Sequence, residues 1–307
     1  MSTVLKYLVI GAGGVGGNLA AFLTLSKKNV SLIARGKNLD VLQKDGLTLQ
    51  SDLFGEVRVQ NIVALAETDY YEKPDVIFLC TKGYSIEDTI PFLNRVVSEH
   101  TLVIPLLNGF HIGRSIQKRL HRGVVLEGCI YILGTLLQPG VVRQQNSIFR
   151  IVFGVPNNGT KPSLEIIKKI ESDLKESRIK VNVSDDIELD TFMKWSFISA
   201  TALVGAYFNQ TMGALQREGD SRDAFIKLSN ECESLAIAMS LKLPKRLVEA
   251  NLQVLHNTAE EATSSMQKDI ASGKESEIKA LVFDVISLGN QYNVSMPTYK
   301  KLSEKFK

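Results

Sequence analysis

The sequence predicts a doubly wound α/β domain followed by an all-helical domain, across 307 residues. Three observations carry this expectation. Apolar strand patterns alternate with helical ones through the first half. A glycine-rich run, Leu8–Gly17 (LVIGAGGVGG), joins the first strand to the first helix. After Ser184 the β-branched runs give way to long helical patterns that continue to Lys307. The boundary is expected near Ser184–Asp186, giving domains 1–184 and 185–307.

The elements follow in order. Lys6–Ile10 is a short buried strand, and Asn18–Leu25 continues as a helix. Between them the G-x-G-x-x-G pattern runs Gly11, Ala12, Gly13, Gly14, Val15, Gly16. Gly11 permits the tight turn, Gly13 lets the backbone approach a pyrophosphate, and Gly16 lets the helix pack close to the strand. A strand, this glycine pattern and a helix together are the mark of a Rossmann-type dinucleotide-binding domain. The second strand, Asn29–Ala34, ends in Arg35-Gly36-Lys37-Asn38. An NAD site places Asp or Glu at such a strand end. No carboxylate stands there, and Asp40 falls inside the next helix. Arg35 and Lys37 suit a 2′-phosphate, so the expected cofactor is NADPH.

Thr48–Leu53 and Val57–Ile62, separated by Phe54-Gly55-Glu56, read as a hairpin-like insertion. Asp75–Cys80 (DVIFLC) is a continuous apolar run, as in a parallel strand buried on both faces. Ser85–Val97 reads as a helix and Thr101–Leu107 as another central strand. Val124–Leu137 and Gly140–Gly154 are β-rich, joined by a turn at Gln138-Pro139-Gly140. Leu164–Ser177 is an amphipathic helix and Ile179–Val183 a last strand.

Composition narrows the function classes. The chain is 44% apolar and 22% charged with a net charge of +3, which is ordinary for a soluble globular protein. Its basic residues are scattered, so nucleic acid is not an expected partner. The cysteines Cys80, Cys129 and Cys232 lie far apart, and so do the histidines. Neither a metal site nor a disulfide framework is expected, and a reducing cytoplasm is. Trp195–Gln216 carries no charge over 22 residues, but its Ser, Thr, Asn and Gln residues mark a buried soluble helix and not a membrane span.

Ligands of open parallel sheets bind beyond the carboxyl ends of the strands. DVIFLC ends in Thr81-Lys82-Gly83 and TLVIPLL in Asn108-Gly109, so Lys82 and Asn108 are candidates to face the cofactor. The alternatives are a solvated lysine and a plain Asn-Gly turn. Lys194 opens the charge-free stretch. It either snorkels to solvent or sits desolvated, where its pKa would fall toward neutrality and make it a proton donor. In the stretch Ser264–Ile278, Gly273 breaks the helical pattern, and Ser272 with Glu275 resembles a capping box that starts a new helix. Glu277 then lies in its first or second turn, either serving the helix dipole or aimed at a cleft.

Together these pieces resemble the ketopantoate reductase (2-dehydropantoate 2-reductase) family over essentially the whole chain. The shared pieces are Gly11–Gly16, Ile33-Ala34-Arg35-Gly36, Thr81-Lys82, Leu107-Asn108-Gly109, Lys194, Ser264-Ser265-Met266 and Ser276-Glu277-Ile278. Glu277 stands twelve positions after Ser265, as the family pattern requires. The resemblance implies NADPH-dependent reduction of a 2-oxo acid, in particular 2-dehydropantoate to pantoate in pantothenate synthesis. It assigns Lys194 as proton donor, Glu277 as its partner carboxylate, Ser265 to substrate, and Asn108 and Lys82 to cofactor and substrate near the nicotinamide.

The chain also departs from that pattern. The two asparagines that family members carry four and eight residues after the catalytic lysine are here Ile198 and Ala202. The Ile-Asn-Gly that often follows the glutamate is here Leu281-Val282-Phe283. Part of the substrate shell is thus apolar. A relative acting on a more apolar 2-oxo acid, and a catalytically silent NADPH sensor, stand as alternatives, the latter disfavoured by the retained Lys194 and Glu277. The apolar helix Trp195–Leu215 packs either inside one subunit or across a homodimer, and sequence does not choose.

Overall fold

A computed structural model describes residues 4–306. They form two compact units. One comprises the chain up to Leu107 together with His111–Ile187, and the other comprises Asn108–Phe110 together with the chain from Glu188 onward.

In the first unit the elements run β1 (Lys6–Ile10), α1 (Gly14–Leu25), β2 (Asn29–Ile33), α2 (Gly36–Asp45), β3 (Leu47–Ser51), β4 (Gly55–Val59) and β5 (Val63–Leu65). They continue with β6 (Val76–Leu79), α3 (Ile86–Val96), β7 (Leu102–Pro105), α4 (Ile112–Gln117), β8 (Val124–Val125), β9 (Glu127–Gln138), β10 (Val141–Gly154), α5 (Leu164–Glu176) and β11 (Lys180–Val183). The main sheet has the order β5-β2-β1-β6-β7-β8, and every pairing in it is parallel. The strand order reverses between β1 and β6, which makes that end the switch point where α/β sheets take ligands. Tyr7 and Val9 feed the core on one face of this sheet, while Leu8 and Ile10 feed the core on the other. This double burial explains the unbroken apolar runs of its central strands.

The hairpin expected at Thr48–Leu53 and Val57–Ile62 exists as the antiparallel pair β3–β4, but it starts and ends earlier. Ser51 ends the first strand by accepting the Leu53 N–H at 3.0 Å and donating to Gln144. The pair belongs to a second sheet, of order β11-β10-β3-β4, with β9 pairing antiparallel to β10. The third parallel strand of the main sheet is the three-residue β5, too short to show a periodic pattern in the sequence.

Beneath the sheets, the buried Asp173 carboxylate accepts from Tyr7 Oη (2.7 Å), Lys28 Nζ (2.7 Å) and Lys169 Nζ (2.6 Å), tying α5 to β1 and to the turn after α1. Burial pushes this carboxyl up, but the hydrogen bonds from Lys169, Lys28 and Tyr7 prevail and hold it below the usual carboxylate range.

The second unit is helical: α6 (Ile187–Phe208), α7 (Met212–Gln216), α8 (Asp220–Ala238), α9 (Leu247–His256), α10 (Ser265–Ala271), α11 (Asp284–Gln291) and α12 (Pro297–Ser303), with a π-helical turn at Lys279–Phe283 leading into α11. Its core gathers Trp195, Phe225, Leu228, Leu235, Val282 and Tyr299. The charge-free stretch Trp195–Gln216 is not one helix. It divides between α6 and α7 because Asn209 adopts a left-handed conformation, φ +53°, which ends α6. Among the described residues no helix is long and apolar enough to cross a membrane. Two carboxylates of α8 cap other helices. Glu231 accepts the Thr298 and Tyr299 N–H groups, and Glu233 accepts that of Leu247.

Candidate active site

The glycine loop of the first unit is shaped by contact on three sides. Gly11 has φ +103°, and a Cβ there would lie 3.0 Å from the Cys80 carbonyl and the Thr81 nitrogen. A Cβ on Gly14 would come within 2.4 Å of Gly134 O, and one on Gly16 within 2.0 Å of Gly11 O and 2.9 Å of Cys80 Cβ. These three positions exclude any side chain. Gly13 is different, since a Cβ there would meet nothing within 4 Å. Gly13 is also the N-cap of α1, with no side-chain cap, so open space lies before the free N–H groups of the first turn. Thr81, against Gly11, carries a buried hydroxyl without a hydrogen-bond partner. Open backbone donors and an orphaned hydroxyl at the switch point fit the phosphates and ring of a dinucleotide.

Asn38, which is not among the residues predicted from sequence, holds this loop. Its amide nitrogen donates to Ala12 O at 3.0 Å and its oxygen accepts from Gly140 N at 2.8 Å. The available signal was an asparagine, a poor helix former, within the first turn of α2. Arg35 is exposed and extended (φ −144°, ψ 159°) immediately before α2, with Lys37 exposed beside it. Asp40 lies inside α2. Glu67, just past β5, has its carboxyl pushed up by burial, with Arg35 and Arg95 opposing that shift. Lys82 is half-buried after β6, where its carbonyl accepts the Ser85 N–H at 2.9 Å.

In the helical unit three predicted residues come together. Lys194 Nζ donates to Asn108 Oδ1 at 3.0 Å, and Asn108 Nδ2 donates to Glu277 Oε2 at 3.2 Å. Lys194 and Asn108 are half-buried, and Glu277 is 5% exposed. Asn108 therefore links the two charged groups, a role the sequence did not suggest. Its segment is fixed by Phe110, which stacks on Trp195 (ring centroids 5.4 Å apart, 20° between planes) and meets Phe192 edge-on. Lys194 does not simply snorkel.

Glu277 arrives differently from expectation. Ser272 starts no helix. Its hydroxyl donates to the Lys268 and Asp269 carbonyls and closes α10, and Gly273 (φ +65°) turns the chain away. The next helical turn begins at Ile278, and the Glu277 carbonyl accepts the Leu281 N–H at 3.0 Å. Glu277 thus stands at a helix start, where the dipole favours an anion, while its side chain engages Asn108. Ser264 caps α10 by accepting from Gln267 N at 3.1 Å. Ser265 is the exposed first residue of that helix and is hydrogen-bonded to none of Lys194, Asn108 and Glu277. Of the two apolar replacements, Ile198 is half-buried, whereas Ala202 is 1% exposed inside the core.

An ammonium group held by an amide that is itself fixed by a buried carboxylate is an arrangement suited to delivering a proton. Comparison with known proteins points to an oxidoreductase family. Residues 7–158 match the family described as Ketopantoate reductase PanE/ApbA, and residues 186–307 match its C-terminal part. The chain is 26% identical over 274 residues to the uncharacterized oxidoreductase YkpB of Bacillus subtilis, covering 89% of this chain and 88% of that protein. It is 26% identical over 315 residues to the 2-dehydropantoate 2-reductase of Mesorhizobium japonicum, covering 96% and 94%. Among solved structures, D-mandelate dehydrogenase with NADH and anilino(oxo)acetate superposes with a TM-score of 0.87 at 21% identity, covering 97% and 96%. With its α/β unit, its helical unit and both matches accounted for, this chain belongs to the ketopantoate reductase family of oxidoreductases.

Proposed function

We propose that the chain reduces a 2-oxo acid to the 2-hydroxy acid with NADPH, and that Lys194 donates the proton. The observation that carries this reading is the hydrogen-bonded chain Lys194–Asn108–Glu277. When bound, the nicotinamide supplies hydride to the carbonyl carbon. The protein must then stabilise and protonate the developing alkoxide. Lys194 carries three N–H donors, and Asn108 engages one of them. The amide oxygen can only accept from the ammonium, and the amide nitrogen can only donate to Glu277. The orientation of the amide is thus set by its two charged partners, and the ammonium is held in a fixed direction before substrate arrives.

The glycine loop Gly11–Gly16 would take the pyrophosphate, and Arg35 the 2′-phosphate, since Asp40 is drawn into α2 and no carboxylate ends β2. Lys82 would lie against the cofactor and Ser265 would contact substrate. The substrate we place first is 2-dehydropantoate, the substrate named for curated relatives. A second reading, a more apolar or aromatic 2-oxo acid, is favoured by Ile198, which stands where the family pattern has an amide. The burial of Ala202 narrows that argument to one position.

Steady-state NADPH oxidation with 2-dehydropantoate, 2-oxoisovalerate and phenylglyoxylate tests both readings. Preference for 2-dehydropantoate supports the first, and preference for either apolar acid the second. No oxidation with any 2-oxo acid would leave only a nucleotide-binding role.

A further inference from the structure

The π-helical turn Lys279–Phe283 follows Glu277 almost directly, and two residues of α6 grip it. In the turn Asp284 N donates to Lys279 O, five residues back, and not to Ala280, four back. The Ala280 carbonyl accepts the Trp195 indole N–H at 2.9 Å, and the Leu281 carbonyl accepts the Ser199 hydroxyl. Trp195 and Ser199 are one helical turn apart and so share a face of α6. Trp195 is the neighbour of Lys194.

Ser199 is itself held. Its proton is committed to Leu281 O, so the Tyr299 hydroxyl, 2.7 Å away, donates to it. The Tyr299 oxygen then accepts from the Cys232 thiol at 3.3 Å. All three side chains are fully buried. Burial pushes the Cys232 thiol up to about 12 and raises Tyr299 as well, so both keep their protons at neutral pH. The result is a one-way series of donors, Cys232 to Tyr299 to Ser199, ending on a carbonyl of the turn. Widened turns of this kind recur at functional sites and need partners for displaced backbone groups.

We infer that Trp195 and Ser199, the latter backed by Tyr299 and Cys232, are positioning residues that lock the π turn and so set Glu277 against Asn108 and Lys194. This rests on the role proposed above for Glu277. It makes one stretch of α6 responsible for the proton donor and for the placement of its partner carboxylate.

The variants Ser199→Ala and Tyr299→Phe test this in the full-length protein. Trp195 is the sole tryptophan, so its indole N–H gives a single nitrogen-15 NMR signal. Its exchange with solvent should accelerate about 10-fold in both variants as the turn loosens. In Ser199→Ala, kcat should fall about 10-fold with the KM values nearly unchanged, because a small misplacement of a catalytic group acts on turnover. In a Glu277→Gln background the same substitution should cost little more. A merely structural serine would lower Tm and leave kcat alone. Unchanged indole exchange, unchanged kcat, or equal losses in the two backgrounds would each overturn the inference. If the wild-type protein turns over no 2-oxo acid, the functional reading fails. The indole exchange, which needs no turnover, still accepts or rejects the grip of Ser199 on the turn.

Discussion

Lys194 Nζ donates to Asn108 Oδ1 across 3.0 Å, although the two residues are 86 positions apart in the chain. The contact joins a helix residue to a short segment that leaves a β-strand, and it converts an exposed-looking lysine into an oriented one. Lys194→Ala should lower kcat by about 10² to 10⁴, the range for a general acid. Asn108→Ala should lower it by about 10 to 10², since the ammonium remains but its direction is lost. NADPH affinity, measured by fluorescence titration, should survive Lys194→Ala. Near-normal turnover in either variant would remove that residue from the proton-delivery chain.

In the function proposed here, Arg35 reads the 2′-phosphate of the cofactor. It stands extended and exposed at the end of β2 with no carboxylate on the same strand end. NADPH should bind more tightly than NADH. Arg35→Ala should weaken NADPH by about 10- to 10²-fold, the worth of a charge-assisted hydrogen bond, and leave NADH nearly unchanged. Calorimetric titration with both nucleotides checks this. Equal losses for the two would mean that Arg35 does not read the 2′-phosphate.

The glycines of the loop should separate into two classes. Gly16→Ala places a Cβ 2.0 Å from Gly11 O and 2.9 Å from Cys80 Cβ, so helix and strand must part. A stability loss of about 1–3 kcal/mol follows from such overpacking. At Gly13, with φ −84° and nothing within 4 Å, alanine should fold normally. It should nonetheless weaken nucleotide binding, because the methyl group enters the space before α1. Paired urea denaturation and nucleotide titration distinguish the two effects. A destabilised Gly13→Ala protein would contradict this division.

Acid sensitivity should trace in part to Asp173. Its pKa is lowered in the folded protein, so its contribution to stability is fully present above the unfolded value, about 4. That contribution is lost as pH falls through the lower folded value. Asp173→Asn should cost about 2–3 kcal/mol at neutral pH, as for removing a hydrogen-bonded buried charge whose cationic partners can still reach water. The penalty should shrink as the pH falls through the folded pKa. Urea midpoints measured from neutral to strongly acidic pH would show the wild-type and variant curves converging, and parallel curves would refute the assignment.

The features legible in the sequence were those with a local physical signature. The glycine loop, the continuous apolar strands and the amphipathic α5 each declare themselves within about a dozen residues, through turn chemistry or periodicity. The strand β5 did not, because three residues carry no period. The second sheet was hidden for another reason. Its strands pair β3 with β10 and β10 with β11, contacts between distant segments that only tertiary packing decides. At the site, the family resemblance pointed to Lys194 and Glu277 and set Asn108 against cofactor and substrate, but the bridge that Asn108 makes between the two charged groups joins segments too distant for sequence to pair. Ser272 misled for a physical reason as well, since the same hydroxyl that can begin a helix can also bond back to carbonyls and finish one. Asn38 and Ser199 act through side-chain contacts to remote backbone, for which sequence offers little sign.

Because Asn108–Phe110 packs with the helices, the helical unit is not a contiguous piece of chain. A fragment beginning at Glu188 would carry Lys194 and Glu277 yet lack the amide between them, and the Trp195 ring would lose its stacking partner. Shuffling C-terminal halves between relatives would likewise import Lys194 and Glu277 from one parent and join them through a tripeptide from the other. Inheritance of the hydrogen-bonded chain is therefore split across the gene, and, if that chain delivers the proton, chimeras should work only when the short segment after β7 travels with the helices.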